Sequence, residues 1–480
     1  MHLTVRRRRA PFRAVALALA AAALPAMTCA TPAPRDAAAA HPSVRGLWRS
    51  TGYGTVVSVD GRHLRTYETT RVSCLPGGLE ADRSGPSRAG GAVDFTPADS
   101  EEAGRITLTP NADGAGDAVT LRFEDDAGSR TLRRVHELPD RCRRKPARDP
   151  RSVFDAFWQT YAENYPSFAA KGVDWTAVRD RYRPAVTADT TDAELFGILE
   201  DMIEPLHDAH TAIVAGGNRR FTGRRADTET PTSATVRKID KATAASVGAP
   251  QRRWGRGAIG YADLPHRIGY LRITRFSGFT GKDDYPGDRA ELDRALDAVL
   301  TRARTCGPDA LRALVIDLRF NGGGSDPLGL RLASRLTTRA YTAYTKRARD
   351  NTPGAQRFTP AQPIGVSPRS GRPVYTGPIA LLTGRLTVSA GETFVQALMN
   401  RTPAPVRIGE NTQGALSDTM DRVLPNGWSV TLPNEKYLAS DGAAFDGTGI
   451  APTVRVPVFT EAEFAAGRDS ALTRALRLLG

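Results

Sequence analysis

The sequence is poor in several features that mark particular classes of protein. It has four cysteines in 480 residues, and no CxxC pair or Cys/His cluster has the spacing of a zinc site. Aromatic residues make up only 7% and do not interleave with lysine or arginine in a dense stripe, which argues against nucleic-acid binding. Downstream of the N-terminus, no apolar run approaches the roughly 20 residues of a membrane-spanning helix. We therefore predict no metal, no nucleic-acid partner and no transmembrane segment.

The first 30 residues have the pattern of a secretory signal peptide. Five arginines and no acidic residue occur there, so part of the net charge of +14 belongs to this segment. An apolar stretch over 14–24 follows the arginines, and small residues lead to Ala30. Export to the periplasm or the medium is predicted. Lipid attachment at Cys29 is the less favoured alternative, because Ala26-Met-Thr before it is a poor match to a lipoprotein signal.

The remaining cysteines are interpreted from the compartment. Export would place the chain in an oxidising environment, where disulfides form and persist. Cys74 and Cys142 lie within one predicted domain, and a disulfide between them is favoured over two unpaired thiols. Cys306 is predicted to be unpaired.

Composition and periodicity predict a multidomain α/β protein. Short alternating strands separated by Gly, Asp and Pro indicate a small all-β barrel or sandwich, and apolar residues at helical spacing indicate a helical domain after it. Buried strands alternating with helices then indicate an α/β core. The predicted boundaries are a signal peptide 1–30, a linker 31–42, an all-β domain 43–142, a helical domain 150–214, a linker or reduced insertion 215–258, a core 259–458 and a C-terminal helix 459–480.

Individual elements of the core follow from the same patterns. The predicted strands are 268–273, 313–318, 379–383, 406–408 and 429–432. The predicted helices are 288–305, 326–336 and 389–400, with a surface helix over 460–478.

Ser389 is a candidate nucleophile because of where it stands. A buried strand and a short loop precede it, and a helix is predicted to begin at it, so unpaired helix N–H groups would favour negative charge developing nearby. The same pattern has a second interpretation. Ser389-x-x-Glu392 is also a capping box, in which the serine accepts the N3 amide and the glutamate reaches back. The segment alone does not decide between the two.

A run of three glycines, 322–324, follows the buried strand 313–318. Such a run lets the backbone bend sharply and present its amides, which could complete an oxyanion hole for acyl transfer. A tight strand-to-helix turn or a phosphate cradle are the alternatives. The run fits neither G-x-G-x-x-G nor G-x-x-x-x-G-K-[ST], so a nucleotide is not favoured. We predict no cofactor.

A serine nucleophile needs a base, and the chain has seven histidines. His207 and His210 form the one cluster, in Leu206-His-Asp-Ala-His-Thr211. Two histidines at this spacing could also suggest a metal, but no third ligand with supporting spacing is evident.

Five segments resemble, in order and spacing, the tail-specific protease family, which includes the C-terminal processing peptidases and the tricorn protease core. They are Asp317-Leu-Arg-Phe-Asn-Gly-Gly-Gly324, Thr387-Val-Ser-Ala-Gly-Glu392, Ile408-Gly-Glu-Asn-Thr-Gln-Gly414, Leu424-Pro-Asn-Gly427 and Gly447-Thr-Gly-Ile-Ala-Pro452. The resemblance covers about 150–455 and implies a core similar to the ClpP/crotonase fold. Many members carry a PDZ domain before the core, but 215–258 is about half of that length.

Two subgroups of this family differ in their base. The processing peptidases pair the serine with a downstream lysine, but no lysine occurs between Lys346 and Lys436 in this chain. The tricorn-like subgroup uses a histidine in a motif similar to Asp-Gly-His-Thr, which Asp208-Ala-His-Thr211 resembles. The resemblance therefore implies that His210 is the general base.

The resemblance also implies the remaining site residues. Asp446, just before the final Gly-x-Pro motif, stands where the subgroup has the acid that orients the base, although the family often has Glu there. Asp208 and Glu392 are rivals for this role. The oxyanion donors would be the amide of Ala390 and that of Gly323 or Gly324.

The predicted function is an exported serine peptidase that hydrolyses peptide bonds of peptide or protein substrates. A catalytically silent relative that binds peptides or other ligands is one alternative, and an esterase or amidase using the same site is another. The sequence does not predict an oligomeric state.

Overall fold

The structure is a computed structural model that describes residues 43–98, 104–111, 116–282, 284–350 and 357–480. The predicted signal peptide, the linker 31–42 and Cys29 lie outside the described residues. No helix within the described ranges combines the length and the apolar character that crossing a membrane requires.

Alternating apolar residues close the N-terminal domain into an eight-stranded barrel. Each strand pairs antiparallel with the next, and the first pairs with the last, so the barrel has no free edge. Inward side chains, among them Trp48, Phe95 and Leu121, fill its centre. Of the barrel and the sandwich that the sequence allowed, the structure has the barrel. Its strands are β1 Gly46–Ser50, β2 Thr55–Val59, β3 His63–Thr69, β4 Cys74–Arg83, β5 Val93–Pro97, β6 Ile106–Pro110, β7 Ala118–Phe123 and β8 Arg130–Val135.

Three helices follow the barrel and pack around an aromatic cluster. Asp149, Asp174 and Thr191 cap their N-termini through side-chain oxygens. The helices are α1 Pro150–Asn164, α2 Trp175–Tyr182 and α3 Asp192–Ile203. The helical segment that the sequence predicted after the barrel is therefore present. The predicted disulfide between Cys74 and Cys142 is also present and joins β4 to the turn that leads into α1, while Cys306 is free and exposed.

The rest of the described chain forms the α/β core. In chain order, its elements are β9 Ala212–Val214, β10 Arg220–Thr222, α4 Ser233–Val247, β11 Arg252–Trp254, β12 Ile259–Leu264, β13 Ile268–Ile273, α5 Tyr285–Val299, α6 Arg302–Thr305, β14 Ala313–Asp317, β15 Phe320–Asn321, α7 Asp326–Ala333, β16 Tyr341–Asp350, β17 Arg357–Phe358, β18 Gln362–Val366, β19 Ile379–Thr383, β20 Leu386–Thr387, α8 Ala390–Met399, β21 Val406–Gly409, β22 Thr419–Val423, β23 Ser429–Pro433, β24 Glu435–Leu438, β25 Val454–Arg455, α9 Glu461–Ala466 and α10 Ser470–Leu479.

A seven-stranded mixed sheet organises the core in the order β11-β12-β13-β14-β19-β21-β25. Five of these strands are parallel, namely β13, β14, β19, β21 and β25, and Leu314 of β14 lies opposite Ile379 of β19. The strand β12 runs antiparallel to both of its neighbours. Side chains of β14 and β19 alternate between two apolar clusters, one on each face, which is why these strands are continuously apolar. The predicted multidomain α/β fold is confirmed.

Three expectations about elements were wrong. Residues 215–258, predicted to be a linker or reduced insertion, contain α4 and the edge strand β11, and α4 buries Ile239 and Val247 against the core. The helix predicted over 288–305 is two helices, because Thr301 caps a new helix after α5 ends. The helix predicted at the C-terminus is also two, because Gly467 ends α9 with a positive φ of 58°.

Candidate active site

Ser389 stands at a sharp turn between the short strand β20 and the helix α8. Its φ is +53°, a conformation that costs free energy in a residue other than glycine and that recurs at functional sites. The glycine turn lies against it, because β15 pairs in parallel with β20. A Cβ atom added to Gly323 would come within 2.6 Å of the Ser389 Cβ, so this approach requires glycine.

The glycine turn is held by the buried side chain of Asn321. Its Nδ2 donates to the Ile273 carbonyl at 2.9 Å, and its Oδ1 accepts from the Gly323 amide at 3.0 Å. The amides of Gly324 and Ala390 make no hydrogen bond within the described parts of the chain. Of the two predicted glycine donors, Gly323 is therefore already engaged and Gly324 has its N–H available.

Glu392 holds the loop that follows β21 and is fully buried. Its Oε1 accepts from the Thr412 hydroxyl at 2.5 Å and the Gly414 amide at 2.7 Å, and its Oε2 accepts from the amides of Ala415 and Ser389 at 2.8 and 3.2 Å. Burial raises the pKa of Glu392 to about 7 even though these hydrogen bonds lower it. The contact with Ser389 is the reach-back of the capping box that the sequence suggested.

His210 is carried by a tight turn between α3 and β9. The Asp208 carboxylate fixes this turn, because its Oδ1 accepts from the His210 amide at 2.9 Å and its Oδ2 accepts from the Tyr165 hydroxyl at 2.8 Å. Burial lowers the pKa of His210, while the charge of Asp208 and the main chain of Ser417 act in the opposite direction. Its Nδ1 is buried and has no hydrogen-bond partner among the residues that the structure describes.

Asp446 lies near the same groups. Its Oδ1 accepts from the Leu416 amide at 3.3 Å, and its Oδ2 is buried with no hydrogen-bond partner in the described ranges. Burial, followed by the charge of Asp208, raises the pKa of Asp446 to about 7. The main chain of Ser417 acts on both groups, lowering the pKa of Asp446 and raising that of His210.

One stretch of backbone, residues 414–417, connects the three predicted catalytic groups. The Ser389 amide donates to the Ala415 carbonyl at 3.1 Å, Asp446 binds the amide of Leu416, and His210 lies beside the main chain of Ser417. His210 reaches this place because β9, just after it, pairs with β23, which follows β22 in the same antiparallel sheet. The fold therefore brings together residues that are 179 and 57 positions from Ser389 in the sequence.

Other ligand chemistries find little support at this site. Within the described ranges, no group of three or more His, Cys, Asp or Glu side chains is arranged to hold a metal ion. The letters Gly255-Arg-Gly-Ala-Ile-Gly260 match G-x-G-x-x-G, a match that sequence reasoning missed. They lead into the strand β12 rather than into a helix, so they lack the helix N-terminus that would bind a pyrophosphate.

Sequence reasoning also missed the residues that hold the site together. Asn321 belongs to one of the five family-like segments, but the sequence assigned it no role, although an amide before a glycine run is well suited to fix the turn. Thr412 links two loops, since its hydroxyl donates to Glu392 and accepts from the Ile450 amide at 2.7 Å. No sequence pattern indicated a role for Tyr165, because its hydrogen bond to Asp208 joins residues that are 43 positions apart.

Two protein-family models match parts of this chain. Residues 267–456 match the model of Peptidase family S41, and residues 146–204 match that of the Tricorn protease C1 domain. The core of the chain, residues 267–456, is that of peptidase family S41. The resemblance predicted from five short segments is thereby confirmed, and the protein is a serine peptidase by family.

Solved structures resemble this S41 peptidase over much of its length. A candidate peptidase from Parabacteroides merdae is 27% identical, with a TM-score of 0.57, over 69% of this chain and 96% of that one. Mature CPAF complexed with lactacystin is 13% identical, with a TM-score of 0.50, over 69% of this chain and 97% of that one, which shows a shared fold. No curated protein sequence gives a significant match.

The two matched ranges contain most, but not all, of the predicted site residues of this S41 peptidase. Ser389, the glycine turn and Asp446 lie within 267–456, whereas His210 lies between the two ranges.

Proposed function

We propose that the chain is an exported serine peptidase in which Ser389 is the nucleophile and His210 the general base. The observation that carries the proposal is the convergence of Ser389, His210 and Asp446 on the backbone of residues 414–417. A hydroxyl alone is a weak nucleophile at neutral pH and needs an adjacent base. A neutral imidazole, which the lowered pKa of His210 favours, supplies that base.

The reaction follows from these positions. His210 accepts the Ser389 proton as the Oγ attacks the carbonyl carbon of the scissile peptide bond. The negative charge that forms on the carbonyl oxygen is stabilised by the amides of Ala390 and Gly324, which lie beside Ser389 and make no hydrogen bond within the described residues. His210 then donates its proton to the leaving amine, and water hydrolyses the acyl-enzyme by the same steps in reverse.

Asp446 is the acid that best fits the role of orienting His210. Glu392 is occupied by four donors, and Asp208 by the His210 amide and Tyr165. In the part of the chain that the structure describes, Asp446 keeps one buried oxygen and His210 one buried ring nitrogen without a hydrogen-bond partner. Because unpaired buried polar atoms are costly, a hydrogen bond between His210 Nδ1 and Asp446 Oδ2, formed when substrate closes the site, would satisfy both.

Export is supported by the disulfide. The bond between Cys74 and Cys142 is of a kind that persists in oxidising compartments and is rare in the cytosol. Together with the N-terminal pattern of residues 1–30 it favours a periplasmic or secreted enzyme.

A serine-directed fluorophosphonate probe tests the nucleophile on the purified mature protein. We expect labelling of the wild type, complete loss in Ser389→Ala, and unchanged labelling in Ser233→Ala, the same substitution at an exposed serine at the start of α4. His210→Ala should reduce labelling and peptide turnover about a hundredfold or more without loss of fold. Absence of labelling in every variant would favour the silent relative.

Turnover then defines the reaction class. An unlabelled mixture of peptides should be cleaved by the wild type and not by Ser389→Ala, with products read by mass spectrometry. If simple esters are turned over but no peptide is, the esterase alternative replaces the peptidase assignment.

A further inference from the structure

A basic cavity lies on the face of the molecule where the barrel meets the helical domain. It has a volume of about 590 Å³, within the range of ligand sites. Five cationic side chains line it: Arg71, Arg141, Arg144, Lys145 and Arg179. None of these residues belongs to the predicted catalytic site, and neither the sequence motifs nor the family match assigns them a role.

The cations of this basic cavity have no acidic partners of their own. None of the five forms an ion pair with another part of the chain that the structure describes. The single lining acid, Asp155, is bound by Arg183 through two hydrogen bonds of 2.7 and 3.0 Å. Elsewhere many arginines are paired, so the concentration of unpaired positive charge in one concavity is a local feature.

Covalent and non-covalent contacts fix both walls of the basic cavity. On one side, the Cys74–Cys142 disulfide fixes the turn that carries Arg141, and the Arg141 guanidinium donates to the Arg71 carbonyl. On the other side, the guanidinium of Arg179 lies 5.0 Å from the ring centre of Trp158 on α1. A guanidinium stacked on a ring keeps its N–H edges free for oxygen anions.

We propose that the basic cavity binds an acidic segment of a polypeptide, with side-chain carboxylates between the five cations and an aliphatic or aromatic side chain on Trp158. An extended peptide is favoured over a single small anion because the cations stand on several elements around a large volume that also has apolar walls. That the ligand is a polypeptide substrate rests on the proposed peptidase function, whereas the anionic character of the ligand does not.

Binding can be measured without catalysis on the Ser389→Ala protein, mature and with its disulfide intact. The probe is a fluorescein-labelled hexaglutamate with blocked ends, followed by fluorescence anisotropy at 50 and 300 mM salt. The test variant is Arg144→Glu with Lys145→Glu, two exposed side chains that make no hydrogen bond within the described structure. The control is Arg302→Glu with Arg312→Glu, which changes the net charge equally at exposed, unpaired positions near α6.

We expect hexaglutamate to bind the parent and the control with the same dissociation constant, and to bind both more weakly at 300 mM salt than at 50 mM. The dissociation constant for the test variant should be higher by about tenfold or more. Equal loss in both variants would mean general charge attraction and would overturn the proposal, as would no binding to the parent. If tripolyphosphate displaces labelled hexaglutamate at a far lower concentration than unlabelled hexaglutamate does, the natural ligand is a phosphate compound and the peptide proposal is wrong. Because none of these binding measurements uses turnover, their outcomes are independent of whether Ser389 is the nucleophile.

A kinetic arm connects the basic cavity to substrate. With an otherwise active enzyme, a cleavable peptide extended by six glutamates should show a KM about tenfold higher in the test variant than in the control, with kcat unchanged. The same peptide extended by six serines should show no difference between the two variants. If the test and control variants have the same KM for the glutamate-extended peptide, the basic cavity has no role in substrate capture.

Discussion

The Ser325 hydroxyl donates a hydrogen bond of 3.0 Å to the main-chain carbonyl of Asp125, and this bond joins the glycine turn of the core to the turn between β7 and β8 of the barrel. Ala127, in the same barrel turn, is buried in the apolar cluster that contains Ala390 and Leu416. The barrel is therefore packed against the backbone that would stabilise the oxyanion, and is not a separate appendage.

Ser325→Ala should lower kcat about tenfold and leave KM nearly unchanged. The substitution frees the residue after Gly324, and a small displacement of an oxyanion donor weakens the transition state more than substrate binding. Steady-state kinetics with one peptide substrate measures the two constants. Ser325→Thr should restore kcat, because it keeps the hydroxyl, and Ser277→Ala, at an exposed serine near the same turn, is the control. A change in KM alone would contradict this role.

Asp446→Asn should lower kcat/KM about a hundredfold or more and change its dependence on pH. Asp446 orients His210 only when ionised, and its pKa is raised to about 7, so wild-type activity should rise as the pH increases through about 7. Without that carboxylate, the residual activity should follow His210, whose pKa burial lowers, and the midpoint should move to lower pH.

Two further variants test the assignment of Asp446. Asp446→Glu should keep much of the activity, and Asp441→Asn, at an exposed position nearby, should behave as wild type. If the pH profile of Asp446→Asn coincides with that of the wild type, Asp446 does not orient the base.

Lys346→Met should destabilise the contact between barrel and core. Lys346 is 3% exposed, and its Nζ lies 2.8 Å from Asp126 of the barrel and 3.1 and 3.3 Å from Asp418 and Glu435 of the core. Burial alone would raise the pKa of Asp126, but Lys346 and Arg130 lower it to about 2. Removing the cation leaves carboxylates without compensation, at a cost of about 3 kcal/mol.

Urea unfolding at pH 7 measures this loss of stability. Lys241→Met is the matched control, because Lys241 is exposed on α4 and forms no ion pair within the described residues. If both variants unfold at the wild-type urea concentration, the buried cluster is not what stabilises the contact.

Replacing both Cys74 and Cys142 by serine should lower the free energy of unfolding by about 4 kcal/mol. The disulfide closes a loop across a sequence separation of 68, and the loss of loop-closure entropy from the unfolded chain sets this magnitude. Urea unfolding without reductant provides the comparison. Cys306→Ser, which removes the free exposed thiol, should leave the midpoint unchanged. The basic cavity should also lose affinity for hexaglutamate in the double variant, because the disulfide fixes one of its walls.

Local sequence patterns were enough to predict most of the helices and strands of the core. The strands β13 and β19 have the bounds of the sequence segments that predicted them, because continuous apolar residues report burial on a sheet directly. The serine, the glycine turn and the order of the motifs were likewise visible in the sequence. Boundaries failed where a single residue, such as Thr301 or Gly467, ended one helix and allowed another to begin.

The sequence by itself determined which segments are buried strands, which residues could carry acyl-transfer chemistry, and the family that combines them. Only the tertiary structure decided that β9 pairs with β23 and so carries His210 to the backbone beside Ser389, that Gly324 rather than Gly323 keeps a free amide, and that Glu392 is already occupied. The reason is physical. Periodicity records how each residue meets the core, whereas strand partners and hydrogen-bond partners far apart in the chain are chosen by the packing of the whole fold.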